Sequence, residues 1–302
     1  MTIGLGTAAI GGLYEELDDA TALATLESAW SAGIRYFDTA PHYGVGVAER
    51  RLGAFLRRKP RHEFTVSTKV GRLLRPGTGG TEGFPGATEL VRVRDYSAAG
   101  VHASLAESLE RTGLARFDTL FIHDPDDYWD EAVGAAYPAL ARLRAEGAVG
   151  RIGVGMNQAG MLARFVAETD IDRVLVAGRY TLLDRSAAAE LLPLCASRGV
   201  EVVVGGVFNS GVLATPGPDA HFDYQPAPPV VRQRVALLAD ACARHGVALP
   251  AAALQFPLRH HAVTSVVTGA RTPAEVEANA VHLATEIPDR LWAELDEVAA
   301  AW

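Results

Sequence analysis

Residues 34–44 have the sequence IRYFDTAPHYG, in which a short β-prone run is followed at once by polar and turn-forming residues. The branched and aromatic side chains at the start of the run predict a strand over 34–39. Asp38 and Tyr43 lie at and beyond its carboxyl end, just before Gly44. Ionisable side chains at this end of a buried strand are typical of sites built on a parallel sheet.

Short β-prone runs of this kind alternate with segments of helical periodicity along all 302 residues. Strands are predicted at 3–8, 34–39, 64–69, 117–122, 150–155, 173–177, 201–205 and 263–268. Helices are predicted at 19–32, 47–58, 98–113, 130–146, 158–168, 186–198, 229–245 and 273–283, with two more at 250–258 and 289–301. The strands are mostly apolar without interruption, which indicates a parallel sheet buried on both faces. We therefore expect an α/β fold with one domain over 1–302, a (β/α)8 TIM barrel. The alternative is an open doubly wound sheet, which the lack of a G-x-G-x-x-G sequence disfavours.

Two long segments rich in glycine and proline interrupt the alternation, at 71–95 after the third strand and at 205–229 after the seventh. Both follow the carboxyl ends of strands, where barrel enzymes carry their sites. Loops of this length in a compact domain are usually lids or disordered segments, and we favour lids.

Composition excludes several classes of protein. The formal charge is 28 − 36 = −8, which disfavours a nucleic-acid-binding surface. Cys195 and Cys242 lie far apart, so we expect no disulfide framework and no metal site. The sequence shows neither a signal peptide nor a long apolar span, so we expect a cytoplasmic protein without membrane contact. The oligomeric state stays open.

Lysine is rare in this chain. Of the 28 cationic residues only Lys59 and Lys69 are lysines, and the remaining 28 − 2 = 26 are arginines. A lysine can change its pKa when buried, whereas arginine stays protonated. Lys69 ends a predicted strand, so we interpret it as a candidate for chemistry that arginine cannot perform.

Four side chains are predicted to converge at the carboxyl ends of three consecutive strands: Asp38, Tyr43, Lys69 and His123. A nearby ammonium lowers the pKa of a phenol, so Lys69 can activate Tyr43. Asp38 can hold the ammonium, and His123 can hydrogen-bond a reacting oxygen. Such a tyrosine can protonate a carbonyl or take the proton of a hydroxyl, and the partner step needs a hydride carrier.

Each of these residues also has a structural interpretation when taken alone. Asp38 could cap a helix, Tyr43 could be a half-buried loop aromatic, and His123 could be a satisfied core histidine. The joint placement of all four favours a site. We assign His42 and His62 no function, since His42 lines a loop and His62 belongs to a basic run at a helix end.

Several segments resemble the aldo-keto reductases. They are Gly4–Ala8, Phe37–Gly44, Ser67–Gly71 and Ile122–Asp126, and the resemblance extends over essentially the whole chain. Finer features at 71–74, 95–97 and 178–184 resemble the branch of D-threo-aldose 1-dehydrogenases, which includes L-fucose dehydrogenase. The resemblance implies that Asp38, Tyr43, Lys69 and His123 form the catalytic tetrad of that family.

The resemblance also implies a nicotinamide cofactor, NAD or NADP. Asn157 matches the position that binds the carboxamide, with Met156 in place of the usual serine. In that family a glutamine and an aromatic residue that stacks on the nicotinamide also contact the cofactor. These positions fall at Ala177 and Gly205 in this sequence, and Phe208 is a candidate replacement for the aromatic residue. The phosphate end matches Gly269, Arg271 and Asn279.

Glu275 falls where the family often has the arginine that binds the adenosine 2′-phosphate. A carboxylate repels a phosphate but accepts a hydrogen bond from a ribose hydroxyl, which predicts a preference for NAD. The alternative is a solvated residue in the first turn of a helix, with Arg271 able to bind NADP.

The expected activity is oxidation of the C1 hydroxyl of an aldose resembling L-fucose to a lactone, by hydride transfer to nicotinamide. Substrate contacts are predicted from the long loops and from Tyr14, Asp126, Tyr128 and Trp129. The alternatives are an NADPH-dependent carbonyl or aldehyde reductase, a pyridoxal-type dehydrogenase, a metal-dependent barrel hydrolase and a cofactor-binding regulatory subunit. Members of the family usually have a hairpin before the first strand; here either the hairpin is missing or the chain is trimmed, and we expect a less stable barrel with unaltered chemistry.

Overall fold

The computed structural model describes residues 2–80, 82–85 and 89–302. The barrel strands are β1 (Thr2–Gly6), β2 (Tyr36–Asp38), β3 (Thr65–Val70), β4 (Thr119–His123), β5 (Arg151–Met156), β6 (Arg173–Ala177), β7 (Glu201–Gly205) and β8 (Val263–Gly269). Each strand pairs in parallel with the next along the chain, and β8 pairs with β1 to close the ring. This confirms the predicted (β/α)8 barrel.

Helices surround the barrel. They are α1 (Asp19–Ser31), α2 (Val47–Leu56), α3 (Ala98–Thr112), α4 (Tyr137–Ala145), α5 (Ala159–Glu168), α6 (Leu191–Arg198), α7 (Pro229–Arg244), α8 (Leu249–Gln255), α9 (Pro273–Ala284) and α10 (Asp289–Ala300). Short 3₁₀ turns cover Ala9–Gly11, Arg61–Glu63, Ser186–Ala188 and Phe256–Arg259.

Two predicted helices are broken near their starts. The helix predicted at 130–146 contains a π-helical segment, Ala132–Ala136, because Pro138 has no backbone N–H to donate to the preceding turn. The helix predicted at 186–198 consists of a 3₁₀ turn and α6, and the Asp184 carboxylate accepts the Ser186 backbone N–H at 2.9 Å where that turn begins.

The barrel interior changes character along its axis. Its amino-terminal half is filled by a buried cluster of Tyr36, Phe121, Leu175, Val203 and Val267. The carboxyl ends of β2, β3 and β4 instead place buried charged and polar side chains in the ring. The apolar layer therefore forms the floor beneath a polar bowl.

The two predicted lid segments contain local structure. In the first, Arg72–Pro76 pairs antiparallel with Leu90–Arg94, while Thr81 and residues 86–88 lie outside the described residues. In the second, His221–Phe222 pairs with Gln225–Pro226 around a two-residue turn. Both loops contact Tyr14, which follows β1: the Tyr14 ring stacks on His221 with centroids 6.0 Å apart, and the Tyr14 N–H donates to the Gly83 carbonyl at 2.8 Å.

At the opposite end of the barrel, a cavity of about 330 Å³ is bordered by Arg35, Tyr36, Arg173 and Ser265, among others. Across the described residues, no single helix has the length and apolar composition needed to cross a membrane, although α7 and the segment Leu249–Arg259 pass that test together as a pair bent by 101°.

Candidate active site

Three neighbouring strands deliver the predicted catalytic residues to one place. Asp38 is the last residue of β2, Lys69 is the penultimate residue of β3, and His123 is the last residue of β4. Tyr43 lies in the loop that follows β2. We call these four residues the tetrad.

The centre of the tetrad is a buried ion pair. The Lys69 Nζ atom lies 2.5 Å from Asp38 Oδ2 and 3.0 Å from the Thr39 carbonyl oxygen. Lys69 is only 2% exposed. Burial lowers the pKa of this ammonium, but Asp38 and Tyr43 together raise it by a larger amount. The pKa of Lys69 therefore lies above its ordinary value. Lys69 therefore stays protonated and supplies a fixed positive charge.

Tyr43 is next to this charge. Its ring centroid lies 4.7 Å from Lys69 Nζ. Burial raises the pKa of the phenol, while the charge of Lys69 lowers it, and the net effect is a raised pKa. The ammonium therefore acts on this pKa in the expected direction, but the loss of hydration outweighs it. Lys69 limits the rise.

His123 completes the tetrad as a neutral ring. Its Nε2 atom lies 3.5 Å from Asp124 Oδ2, and its buried Nδ1 atom has no hydrogen-bond partner among the described residues. Burial, together with the charges of Arg72 and Lys69, lowers its pKa well below the usual value. A neutral imidazole can donate from one nitrogen and accept at the other.

A group of side chains beside His123 was not found from the sequence. Arg72 places its guanidinium 2.6 Å from Asp124 Oδ2, 3.2 Å from His42 Nδ1 and 3.3 Å from Glu82 Oε2. We call His42, Arg72, Glu82 and Asp124 the polar wall. Arg72 follows Lys69 by three residues and Asp124 follows His123 directly, which was the available signal.

His42 belongs to this wall, against the prediction that it has no place in the site. Its ring lies edge-on to the His123 ring, with centroids 5.6 Å apart. Burial and the neighbouring Arg72 lower the pKa of His42 to about 2, so it remains neutral. Its Nδ1 atom can then accept the Arg72 N–H.

Aromatic side chains border the tetrad. Phe84 lies nearly parallel to Tyr43, with centroids 6.2 Å apart and an interplanar angle of 28°. The buried Tyr96 hydroxyl reaches the carbonyl oxygens of His123 and Asp124, both at 2.7 Å. This contact supports Asp124 in a left-handed backbone conformation with a φ of 42°.

The predicted nicotinamide-binding residues lie around the same bowl. Asn157 follows β5, and its Nδ2 atom donates to the Ala177 carbonyl at 3.0 Å, which leaves the amide oxygen directed elsewhere. Phe208 follows β7 and packs partly buried against the core. Gly269 is the last residue of β8.

The predicted phosphate end is an ion-pair network. The Glu275 carboxylate accepts the Arg271 backbone N–H at 2.8 Å and also contacts the Arg271 guanidinium at 3.2 Å. Glu15 contacts the same guanidinium at 2.8 Å. Thr272 caps α9 through a hydrogen bond from the Glu275 N–H, and Asn279 lies half-buried farther along that helix.

These residues fit a dinucleotide with a nicotinamide end. The buried hydroxyls of Thr7 and Thr39, beside β1 and β2, have no hydrogen-bond partner within the described ranges. An N-terminal helix end with an adjacent arginine, Arg271, suits a phosphate group. The chain thus offers donors and acceptors at both ends of such a molecule.

The four predicted substrate contacts are in different surroundings. Tyr14 is 47% exposed at the mouth of the bowl, and Asp126 is half-buried beyond β4. Tyr128 packs on Tyr96 with ring centroids 5.2 Å apart. Trp129 packs on Phe165 of α5 with centroids 4.6 Å apart. Their role in binding substrate stays a prediction.

Similarity to known proteins identifies the class of enzyme. A model of the aldo/keto reductase family matches residues 2–300. The chain belongs to the aldo-keto reductases. It is therefore an oxidoreductase enzyme of the family that uses NAD(P)(H) and acts on small aldose or aldehyde substrates.

Among curated relatives, a D-threo-aldose 1-dehydrogenase from a Pseudomonas species is 49% identical, over 98% of this chain and 93% of that protein. A pyridoxal 4-dehydrogenase from Microbacterium luteolum is 40% identical, over 97% of this chain and 92% of that protein. A glycerol dehydrogenase structure from Gluconobacter oxydans shares the fold of this aldo-keto reductase, with a TM-score of 0.81 at 23% identity, covering 99% of this chain and 91% of that one. In the part of the chain that the structure describes, no group of three His, Cys, Asp or Glu side chains is arranged to hold a metal ion.

Proposed function

We propose that this aldo-keto reductase oxidises the C1 hydroxyl of an aldose resembling L-fucose to a lactone, with NAD as its preferred acceptor. The observation that carries the proposal is the tetrad, in which the Lys69–Asp38 pair lies at 2.5 Å beside Tyr43 and a neutral His123. The similarity to a D-threo-aldose 1-dehydrogenase favours an aldose as the substrate.

In the proposed reaction Tyr43, as phenolate, takes the proton of the C1 hydroxyl. The C1–H bond breaks with its electron pair, and the C1–O bond becomes the lactone carbonyl. Asn157 and Arg271 would hold a nicotinamide cofactor, which would supply the hydride acceptor that this oxidation needs. The Lys69 ammonium stabilises the phenolate charge, Asp38 fixes the ammonium, and the His123 ring hydrogen-bonds the reacting oxygen. Carbonyl reduction uses the same groups in reverse, with Tyr43 as the acid.

Recognition of a sugar is assigned to the polar wall. Arg72 offers donors and Asp124 offers acceptor oxygens, and they lie next to His123. Adjacent hydroxyls of an aldose present donors and acceptors that match such a pair, and a site with buried polar groups discriminates against substrates that leave those groups unpaired.

The preference for NAD rests on the charges around Arg271. Glu275 and Glu15 both contact its guanidinium, so the one cation is flanked by two carboxylates. These carboxylates would repel the 2′-phosphate of NADP, whereas the ribose hydroxyl of NAD can donate a hydrogen bond to a carboxylate.

The test is to mix the purified protein with L-fucose and either NAD or NADP and to follow reduced nicotinamide by its absorbance. Tyr43→Phe is the control, since it keeps the ring and removes the proton acceptor. Turnover with NAD that is lost in the variant supports the proposal. Bound cofactor without turnover of any aldose contradicts the substrate assignment.

A second candidate is oxidation of a pyridoxal-like hemiacetal or aldehyde. It is favoured by the nearly parallel Phe84 and Tyr43 rings, which form an aromatic border for a flat heteroaromatic ring. The similarity to a pyridoxal 4-dehydrogenase is in agreement with it. Comparing kcat/KM for pyridoxal and for L-fucose decides between the two candidates.

A further inference from the structure

A chain of hydrogen bonds runs through the barrel interior and ends at the tetrad. The Tyr36 hydroxyl lies 3.0 Å from Ser67 Oγ, and Ser67 Oγ lies 2.6 Å from Asp38 Oδ1. The other oxygen, Asp38 Oδ2, holds Lys69 Nζ at 2.5 Å. The two carboxylate oxygens therefore have different donors, a serine on one side and the catalytic lysine on the other.

The donors in this chain follow from the charges. Asp38 is paired with the Lys69 ammonium, and an ionised carboxylate can only accept hydrogen bonds. Ser67 must then give its single proton to Asp38, so the Tyr36 hydroxyl must donate to Ser67. Burial raises the pKa of Tyr36, which keeps that proton in place. Each donated bond polarises the next and strengthens it.

The register of the strands builds this chain. Asp38 and Ser67 are direct neighbours across β2 and β3, and Tyr36 is the direct neighbour of Gly4 across β2 and β1. A Cβ atom at Gly4 would lie 2.6 Å from the Tyr36 ring, so glycine leaves the space for the ring. Ser67 and Tyr36 are 0% and 4% exposed, so both hydroxyls lie in the buried interior of the barrel.

We propose that Ser67, supported by Tyr36, is a positioning residue for the catalytic reaction, which orients Asp38 and spreads its negative charge so that Oδ2 holds Lys69 beside Tyr43. The charge of Asp38 raises the pKa of Tyr43, and a donated hydrogen bond reduces that charge. Loss of the Ser67 hydroxyl therefore moves the pKa of Tyr43 upward.

The test compares pH profiles of kcat/KM for Ser67→Ala, Ser67→Cys and Tyr36→Phe with the wild type. We expect Ser67→Ala to reduce kcat about tenfold with KM changed less than about twofold, and to move the profile limb of Tyr43 up by about half to one pH unit. Ser67→Cys keeps a weak hydrogen-bond donor, so its kcat and its pH profile should fall between those of the wild type and Ser67→Ala. Tyr36→Phe should shift the limb in the same direction by less.

Ser265→Ala is the matched control. Ser265 lies on β8 at the far cavity, is 6% exposed, and forms no hydrogen bond to Asp38 or Lys69 among the described residues. It should retain the wild-type profile. A Ser67→Ala profile that superimposes on the wild type overturns the proposal, and so does an equal loss in Ser265→Ala. Thermal unfolding of each variant establishes that it is folded. If Ser67→Ala does not fold, Tyr36→Phe provides the test in its place.

The assay rests on the activity proposed above only for its oxidative arm. Each comparison of a variant with the wild type is also made for the reduction of an aromatic aldehyde, which uses the same tetrad. Failure of the wild type to oxidise L-fucose contradicts the proposed substrate, while the variant ratios in the reductive arm still decide the role of Ser67.

Discussion

The tetrad and the polar wall are adjacent but are built in different ways. Asp38, Lys69 and His123 lie on barrel strands, and strand register fixes their spacing. Arg72 begins the strand pair Arg72–Pro76 and Leu90–Arg94 outside the barrel and Asp124 follows β4, so an ion pair rather than barrel register joins the two. The difference predicts two signatures: changes in the tetrad should act on kcat and on folding, whereas changes in the wall should act on KM and on the choice of substrate.

The largest effect is expected from removal of the Lys69 charge at the centre of the tetrad. We expect Lys69→Met to reduce kcat by about 10³ to 10⁴, because Tyr43 loses the cation that stabilises its phenolate. The variant should also lose about 3–5 kcal/mol of unfolding free energy, since Asp38 is left as an unpaired buried charge. Urea unfolding and steady-state kinetics measure the two effects.

A double variant separates catalysis from folding. Lys69→Met combined with Asp38→Asn removes both charges, so it should recover much of the stability of the single variant without recovering activity. Recovery of both would show that Lys69 acts on catalysis only through folding, and the strand-built tetrad would then not be the chemical centre.

The wall is tested by Asp124→Asn. The change keeps the size of the side chain but removes the charge paired with Arg72, so we expect KM for an aldose to rise about tenfold with a smaller change in kcat. Reduction of a simple aldehyde should be little affected. Asp127→Asn is the matched control, since Asp127 is an exposed residue of the same loop. Equal losses for aldose and simple aldehyde would place Asp124 with the tetrad instead.

His42 of the polar wall and His123 of the tetrad make the stability of the folded protein depend on pH. The pKa values of His42 and His123 are lowered in the folded protein, so both rings stay neutral there while the unfolded chain takes up protons below about pH 6.5. The stability they contribute is therefore present above that pH and lost as the pH falls. Between pH 7 and 4.5 we expect a loss of about 2–3 kcal/mol for His42, and a change of the same sign for His123.

Replacement of one ring tests this link. His42→Gln should flatten the fall of the unfolding midpoint between pH 7 and 4.5. His102→Gln, an exposed substitution on α3, should leave the slope unchanged. A wild-type midpoint that is constant over this range would contradict neutral burial of the two rings.

The same division explains what the sequence could predict. Asp38, Lys69 and His123 were recognisable because each ends an apolar run, and strand ends are local features. Arg72 and His42 were missed because their partners come from other loops, and no local pattern specifies which of several arginines meets a given carboxylate. Ser67 falls within a segment that resembles the family, but its role depends on which residue faces it across β2, and the sequence does not specify that residue.

The smallest expected effect lies at the predicted phosphate end, an exposed region where the Glu275 carboxylate accepts the Arg271 backbone N–H. We expect Glu275→Gln to lower the ratio of kcat/KM with NAD to kcat/KM with NADP by about three- to fivefold, because exposed ion pairs contribute little and salt screens them. Glu277→Gln, on an exposed position of the same helix, is the control of equal charge. If both variants change the ratio alike, the preference reflects the net charge of the helix end. If only Glu275→Gln changes it, and the change shrinks at high salt, cofactor choice depends on the contact with Arg271.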